Sequence, residues 1–315
     1  MAVDEADATP QAGGEPSRDP AAGGTGDRLR RVVTPNMRHV IRAASHTAGR
    51  LTAGSRAIPD FLIIGAMRGG TTTLYHYLVR HPRVAGAVLD KEVHFFDLHH
   101  DRGERWYRAR FPRRSSLARR ARATGGAIRV GEATPYYLFH PLVPARVAEM
   151  LPSARAIAML RDPVERAWSH YRHEVDLGYE TLGFDEAIDA EEERLAGEEA
   201  RLIADPSAVS SAHQHHSYLA RGRYAEQLER WFDAMPRERI FVVRSEDFYA
   251  DPAVAFAGVL DFLGLPAWSP GAWRTLNAAT SSGLAPATRT RLRAYFEPHD
   301  RRLASLLGWD RGWQG

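Results

Sequence analysis

Large apolar residues fall along this chain in short unbroken runs, separated by stretches with a helical period. The first run, Phe61-Leu62-Ile63-Ile64, follows Pro59 and lacks the polar alternation of a half-solvated strand. Such a run predicts a strand buried on both faces, as in a parallel sheet. A glycine-containing turn, Gly65 to Gly70, leads into a predicted helix over residues 72–80, closed by His81-Pro82. The pattern then repeats, with strands over 127–130, 155–160 and 240–243 and helices over 142–150, 163–174, 224–235 and 254–263. Asp162 suits the N-cap of the 163–174 helix, and Pro163 its first position, where a missing N–H costs nothing. Residues 184–204 read as acidic and helical, and 288–296 and 301–307 as two final helices. Strands alternating with helices predict an α/β fold, a single domain with a central parallel β-sheet flanked by helices.

The flanks differ. Residues 1–27 are rich in Ala, Gly, Pro, Asp and Glu and are expected to be a disordered N-terminal tail. Residues 28–58 form a basic extension with no assigned role, 59–309 the folded domain, and 310–315 a short C-terminal tail. Residues 107–126, with arginines at 108, 110, 113, 114, 119, 120 and 122, read as a long loop that is solvated or draws in an acidic acceptor or an anionic membrane surface.

Composition narrows the function. The 315 residues carry a net charge of only +3, which suits an anionic ligand and is too small to argue for nucleic acid. The chain has no cysteine, which excludes disulfides, zinc–thiolate sites, iron–sulfur clusters and cysteine nucleophiles. No stretch approaches the roughly 18 consecutive apolar residues of a membrane span, and the N-terminus lacks a signal-peptide core. A cytoplasmic location is the expectation. His213-Gln214-His215-His216 looks ligand-like but lacks organised partners, so a solvated loop and no metal site are expected there. Trp168, Trp231, Trp268 and Trp273 are expected in or near the core.

The stretch from Gly65 to Thr73, Gly-Ala-Met-Arg-Gly-Gly-Thr-Thr-Thr, lies between a buried strand and a helix. Gly69 and Gly70 let backbone wrap closely round an anion, and helix-start N–H groups point at it. Thr71 and Thr72 add hydroxyl donors, and Arg68 a permanent charge. The Walker pattern G-x4-G-K-[ST] fails where Thr71 replaces its lysine, which weighs against a nucleotide kinase or ATPase.

Here the sequence resembles the PAPS-dependent sulfotransferases, whose P-loop-like fold binds the 5′-phosphosulfate in such a loop. Arg68 holds the place of their usual lysine. A second segment, Arg161-Asp162-Pro163-Val164-Glu165-Arg166-Ala167-Trp168-Ser169-His170-Tyr171, is similar to the family's 3′-phosphate element R-D-P-x-x-R-x-x-S-x-Y, which implies donor contacts for Arg161 and Ser169. A third, Lys91-Glu92-Val93-His94-Phe95-Phe96-Asp97, resembles the K-E-x-H-F-F-D segment of the heparan sulfate glucosaminyl sulfotransferases, especially the 3-O-sulfating branch. The resemblance implies Glu92 as general base, with His94 and Asp97 in support. It covers roughly residues 59–309 and includes Gly131-Glu132-Ala133-Thr134-Pro135-Tyr136-Tyr137, where the heparan enzymes carry a lysine at the place of Ala133. Their C-terminal disulfide and its basic loop have no counterpart.

The chemistry this resemblance implies is sulfuryl transfer from PAPS, as co-substrate and without a metal, to a hydroxyl of a carbohydrate or small natural product. Charge on the departing 5′-phosphate is met by Arg68 and loop N–H groups. Glu92 takes the acceptor proton, its pKa expected to be raised by apolar Val93, Phe95 and Phe96. The alternatives are a P-loop nucleotide kinase and a non-catalytic nucleotide-binding protein.

Overall fold

Five strands hydrogen-bond into one sheet in the computed structural model of the protein, which describes residues 51–88, 91–273, 283–310 and 312–313. They are β1 (Phe61–Gly65), β2 (Val84–Gly86), β3 (Arg129–Ala133), β4 (Arg155–Leu160) and β5 (Ile240–Arg244). Every pairing is parallel and the order is β2-β3-β1-β4-β5. Parallel neighbours need crossover connections, and helices supply them. The longer ones are α1 (Thr71–Arg80), α2 (Arg114–Thr124), α3 (Val143–Met150), α4 (Pro163–Leu177), α5 (Tyr224–Ala234), α6 (Pro252–Phe262) and α7 (Pro286–Leu307).

The unbroken apolar run of β1 is explained by its place at the centre of the sheet. Phe61 and Ile63 enter one cluster with Leu74 and Leu78 of α1 and Phe256 and Val259 of α6. Leu62 and Ile64 enter the opposite one, with Val143 and Val147 of α3, Leu228 and Trp231 of α5 and Leu303 of α7. Each such side chain is worth about 1.5–3 kcal/mol when fully buried, so both faces of the strand are driven inward. After β1 the chain crosses to β2 and β3 on one side, and later to β4 and β5 on the other. Ligands of open α/β sheets bind at the carboxyl ends of strands where the order reverses in this way.

Two expectations are corrected, and a third element is helical as expected but in pieces. Residues 107–126 are not a long loop but mostly helical, comprising the end of Gly103–Arg108 and the whole of α2. The helix α2 buries no residue, so its Ala and Arg content rather than an apolar stripe accounts for it. The expected pair of C-terminal helices is one, α7, which runs through Pro298 because Thr288, Leu292, Phe296, Asp300 and Leu303 form one continuous buried stripe. The 184–204 segment divides into Phe184–Asp189, Glu191–Leu195 and Glu198–Ala204.

The expected N-terminal tail lies outside the described residues, as does the basic extension up to residue 50. Residues 53–57 pack onto the domain: Ala53 is buried, and Arg56 Nη1 donates to the Phe111 carbonyl at 2.6 Å. Among the described residues no helix is long and apolar enough to cross a membrane.

Candidate active site

A cleft of about 610 Å³ opens beyond the carboxyl ends of β1, β3 and β4. Its floor is the turn between β1 and α1, and the glycines there answer to local geometry. A Cβ on Gly69 would stand 2.3 Å from the Met159 carbonyl oxygen of β4, so only glycine lets the loop lie this close to the sheet. Gly70 has φ +96°, the left-handed conformation that side chains resist, and from it α1 departs with its first-turn N–H groups toward the cleft. The Ser245 hydroxyl, beyond β5, donates to the Gly69 carbonyl and fixes the loop from the other side.

Above the loop, α4 brings in the second predicted element. Asp162 Oδ1 accepts from the Val164 and Glu165 amides at 2.9 and 3.3 Å, the expected N-cap. Ser169 lies two turns on and is buried. Arg68 Nε donates to Ser169 Oγ at 3.0 Å, and Arg161 Nη1 reaches the Arg68 carbonyl at 3.5 Å. The residues expected on the 5′- and 3′-phosphate sides thus meet although about 100 positions separate them in sequence. Burial, together with the Arg161 charge, lowers the pKa of Arg68. Two guanidinium groups held side by side in a cleft form a site suited to an anion.

The third element, Lys91 to Asp97, forms the opposite rim. Lys91 Nζ donates to Thr72 Oγ1 at 2.7 Å and to Glu92 Oε1 at 2.9 Å, tying this segment to the phosphate loop. His94 Nε2 lies 3.5 Å from Glu92 Oε2, and Nδ1 lies 2.7 Å from Asp97 Oδ2. Asp97 alone of the predicted site residues does not line the cleft; its side chain is fully buried behind His94. Among the described residues, Arg68 (φ +65°) and His94 (φ +50°) are the non-glycine residues with positive φ. Each such conformation costs about 1–3 kcal/mol and persists only where the surroundings enforce it.

The electrostatics correct one expectation. Val93, Phe95 and Phe96 turn into the core, and the Glu92 pKa is lowered rather than raised. Burial pushes Glu92 up, but the His94 hydrogen bond and the Lys91 charge outweigh it and hold the carboxyl at about 2. For His94 burial acts downward, while Asp97 and Glu92 outweigh it and raise the imidazole to about 10. At neutral pH the pair is therefore a carboxylate beside an imidazolium.

The remaining wall carries Pro135, Tyr136, His173, Glu174, Leu177, Gln214, His215 and Arg221. Here the expected solvated loop at 213–216 is a short helix, Ser211–His215. The His213 ring stacks on Phe139 at 4.2 Å, its Nδ1 is 2.7 Å from the Tyr136 hydroxyl, and burial first, with the Arg221 charge, lowers its pKa to about 2. His215 Nδ1 sits 2.9 Å from Glu174 Oε2. Among the described residues no group of three or more His, Asp or Glu side chains is arranged to hold a metal ion. Of the four tryptophans expected in or near the core, Trp231 is fully buried, while Trp168, Trp268 and Trp273 pack partly buried against core clusters.

A scan against protein families matches residues 58–278 to the sulfotransferase domain. The chain belongs to the sulfotransferase family. It is 32% identical to a solved sulfotransferase from Alicyclobacillus acidocaldarius, with TM-score 0.58 over 81% of this chain and 97% of that one. It is 29% identical to heparan sulfate glucosamine 3-O-sulfotransferase 6 of Mus musculus, over 85% of this chain and 80% of the relative. It is also 26% identical to the membrane-associated sulfotransferase kil1 of Dictyostelium discoideum, over 82% of this chain and 67% of the relative. Sulfotransferases generally use PAPS as sulfate donor, and the P-loop-like nucleotide-binding fold seen here is theirs.

Sequence reasoning passed over several residues of this sulfotransferase site. Lys91 was given no role of its own, and its reach to Thr72 has no sequence signal. Arg221 is fully buried, its guanidinium donating to the Gln214 carbonyl at 2.7 Å and the Ser217 hydroxyl at 2.7 Å. Burial lowers it to about 10. Glu132 was quoted within a family-like segment without a role, and it is a fully buried carboxyl behind the His94 turn.

Proposed function

We propose that this sulfotransferase moves the sulfuryl group of PAPS to a hydroxyl of a carbohydrate or small natural product, with Glu92 as proton acceptor. One observation carries the reading: the phosphate loop, the Arg161–Ser169 pair and Glu92 line the same cleft. The glycine cradle, the α1 N-terminus and two adjacent guanidinium groups fit a donor with phosphate at both ends. A carbohydrate acceptor is favoured by the named substrate of the heparan sulfate 3-O-sulfotransferases that this chain resembles.

In this reaction the acceptor oxygen forms a bond to sulfur as the bond from sulfur to the 5′-phosphate oxygen breaks. The departing phosphate takes the electron pair, and its charge is met by Arg68 and the loop amides. The acceptor proton goes to Glu92. His94 already carries a proton at neutral pH, which leaves the carboxylate as the acceptor of the two. A hydroxyl oxygen bonding to sulfur becomes strongly acidic, so a carboxylate held at low pKa suffices. Asp97 keeps the imidazolium in place, and Lys91 links the base to the loop that holds the donor.

The test is transfer of label from ³⁵S-PAPS to a panel of neutral and sulfated oligosaccharides and hydroxylated small molecules. Labelled product with the wild type, and its loss in Glu92→Gln with donor binding retained, is expected. Full transfer by Glu92→Gln would remove Glu92 from the mechanism, and ATP-dependent phosphorylation of the panel would replace the reading with that of a kinase.

A further inference from the structure

The His94 turn is held from behind by a hydrogen-bond lattice centred on a residue that no step above uses. Glu132, on β3, has no solvent exposure. Its carboxyl receives three hydroxyl protons, from Tyr107 at 2.5 Å and Tyr137 at 3.2 Å on Oε1 and from Thr134 at 2.9 Å on Oε2. Two of those hydroxyls accept main-chain hydrogen bonds on either side of His94. Thr134 Oγ1 accepts from the Val93 amide at 3.2 Å, and the Tyr137 hydroxyl from the Phe95 amide at 2.9 Å.

A hydroxyl has one proton and two lone pairs, so giving the proton to Glu132 leaves the lone pairs for the amides. The carboxylate thus sets the polarity of both bonds that clamp the turn. His94 gains from such a clamp, because its φ of +50° lies in the left-handed region that non-glycine residues seldom occupy and that persists where the surroundings enforce it. Its ring reaches Asp97 and Glu92 from that backbone conformation.

We infer that Glu132 is a positioning residue for sulfuryl transfer: through Thr134 and Tyr137 it locks the amides flanking His94 and so aims the His94 ring at Glu92. The inference rests on the reading of Glu92 and His94 as the reacting pair. Burial raises the Glu132 carboxyl to about 7, against the three hydroxyls and with a contribution from the Asp97 charge. Only the carboxylate accepts all three protons; a neutral side chain has a hydrogen of its own to place, and one hydroxyl must turn round. Glu132→Gln imposes that conflict at nearly constant shape.

The experiment compares Glu132→Gln, Thr134→Val and Thr134→Ser with the wild type. The His94 imidazole is titrated by NMR, its resonance assigned with His94→Asn, and the affinity for 3′-phosphoadenosine 5′-phosphate (PAP) is measured by calorimetry. In Glu132→Gln and Thr134→Val the His94 pKa is expected to drop by about one unit or more toward its ordinary value, since the ring loses its fixed approach to two carboxylates. PAP affinity stays at the wild-type level, and Thr134→Ser, which keeps the hydroxyl, titrates as the wild type does. A wild-type His94 titration in Thr134→Val overturns the inference, as does a Thr134→Ser variant as disturbed as Thr134→Val. A parallel loss of PAP affinity in both disrupting variants would make the lattice general support for the fold, and also overturns it. If Glu132→Gln does not fold, the Thr134 pair decides alone. Absence of PAP binding by the wild type would refute the proposed donor and leave the His94 result standing.

Discussion

Replacing Arg161 with alanine separates binding from stability. Arg161 stands at the end of β4, its Nη1 3.5 Å from the Arg68 carbonyl, and its charge contributes to the lowered pKa of Arg68. Its backbone is held independently, by the Tyr224 hydroxyl donating to the Arg161 carbonyl at 2.8 Å. In the liganded state the side chain is assigned a charge-assisted contact to the donor's 3′-phosphate, worth about 1.5–3 kcal/mol. Its loss weakens PAP binding by roughly 10- to 150-fold, since each 1.4 kcal/mol is tenfold. In the free protein the same substitution removes repulsion against Arg68, so the melting temperature stays level or rises. Calorimetric titration with PAP and thermal denaturation of the free variant are the assays. PAP affinity unchanged from wild type would refute the donor assignment of Arg161. A large fall in free-protein stability would refute the argument that the two guanidinium groups are held together at a cost.

Asp97→Asn removes the charge at His94 Nδ1, and NMR should find the imidazole pKa reduced from about 10 by roughly 1–3 units. The sign for stability follows: a raised histidine pKa contributes stability fully present below its unfolded value of 6.5 and lost as pH rises toward 10, so this variant loses that contribution and melts lower at pH 6. Gly69→Ala places a Cβ 2.3 Å from the Met159 carbonyl oxygen, which forces the loop off β4. Overpacking of this kind costs about 1–3 kcal/mol, and both chemical denaturation and PAP titration should register the loss.

The parts of the fold with local causes were legible in the sequence. β1 and β4 were apolar without alternation because both faces are covered, and the Asp162-Pro163 start of α4 carried its cap in its own side chain. The three-residue β2 was missed because so short a strand has no pattern to show. The arginine-rich α2 was missed because it buries no residue and shows no apolar stripe, and Pro298 suggested a break that the buried stripe of α7 overrides. At the site, spacing and motif resemblance pointed to Arg68 through Thr72, Glu92, His94, Arg161 and Ser169 in the cleft, while Lys91, Arg221 and the charge states eluded them. The low pKa of Glu92 depends on His94 and Lys91 turning toward it as Val93 and Phe95 turn inward, a division of neighbours that no linear pattern reveals. Glu132 is a carboxyl in the buried part of β3, and the hydroxyls of Tyr107, Thr134 and Tyr137 that converge on it explain its presence there.

The central claim is that the cleft holds a nucleotide with a 3′-phosphate, and thermal denaturation with PAP against ATP–Mg²⁺ tests it most directly. A ligand at a hundred times its Kd stabilises by about 2.7 kcal/mol. In a domain of this size that raises the melting temperature by roughly 5–10 °C. PAP is expected to produce such a rise and ATP–Mg²⁺ little or none, whereas stabilisation by ATP–Mg²⁺ and not by PAP would contradict the account.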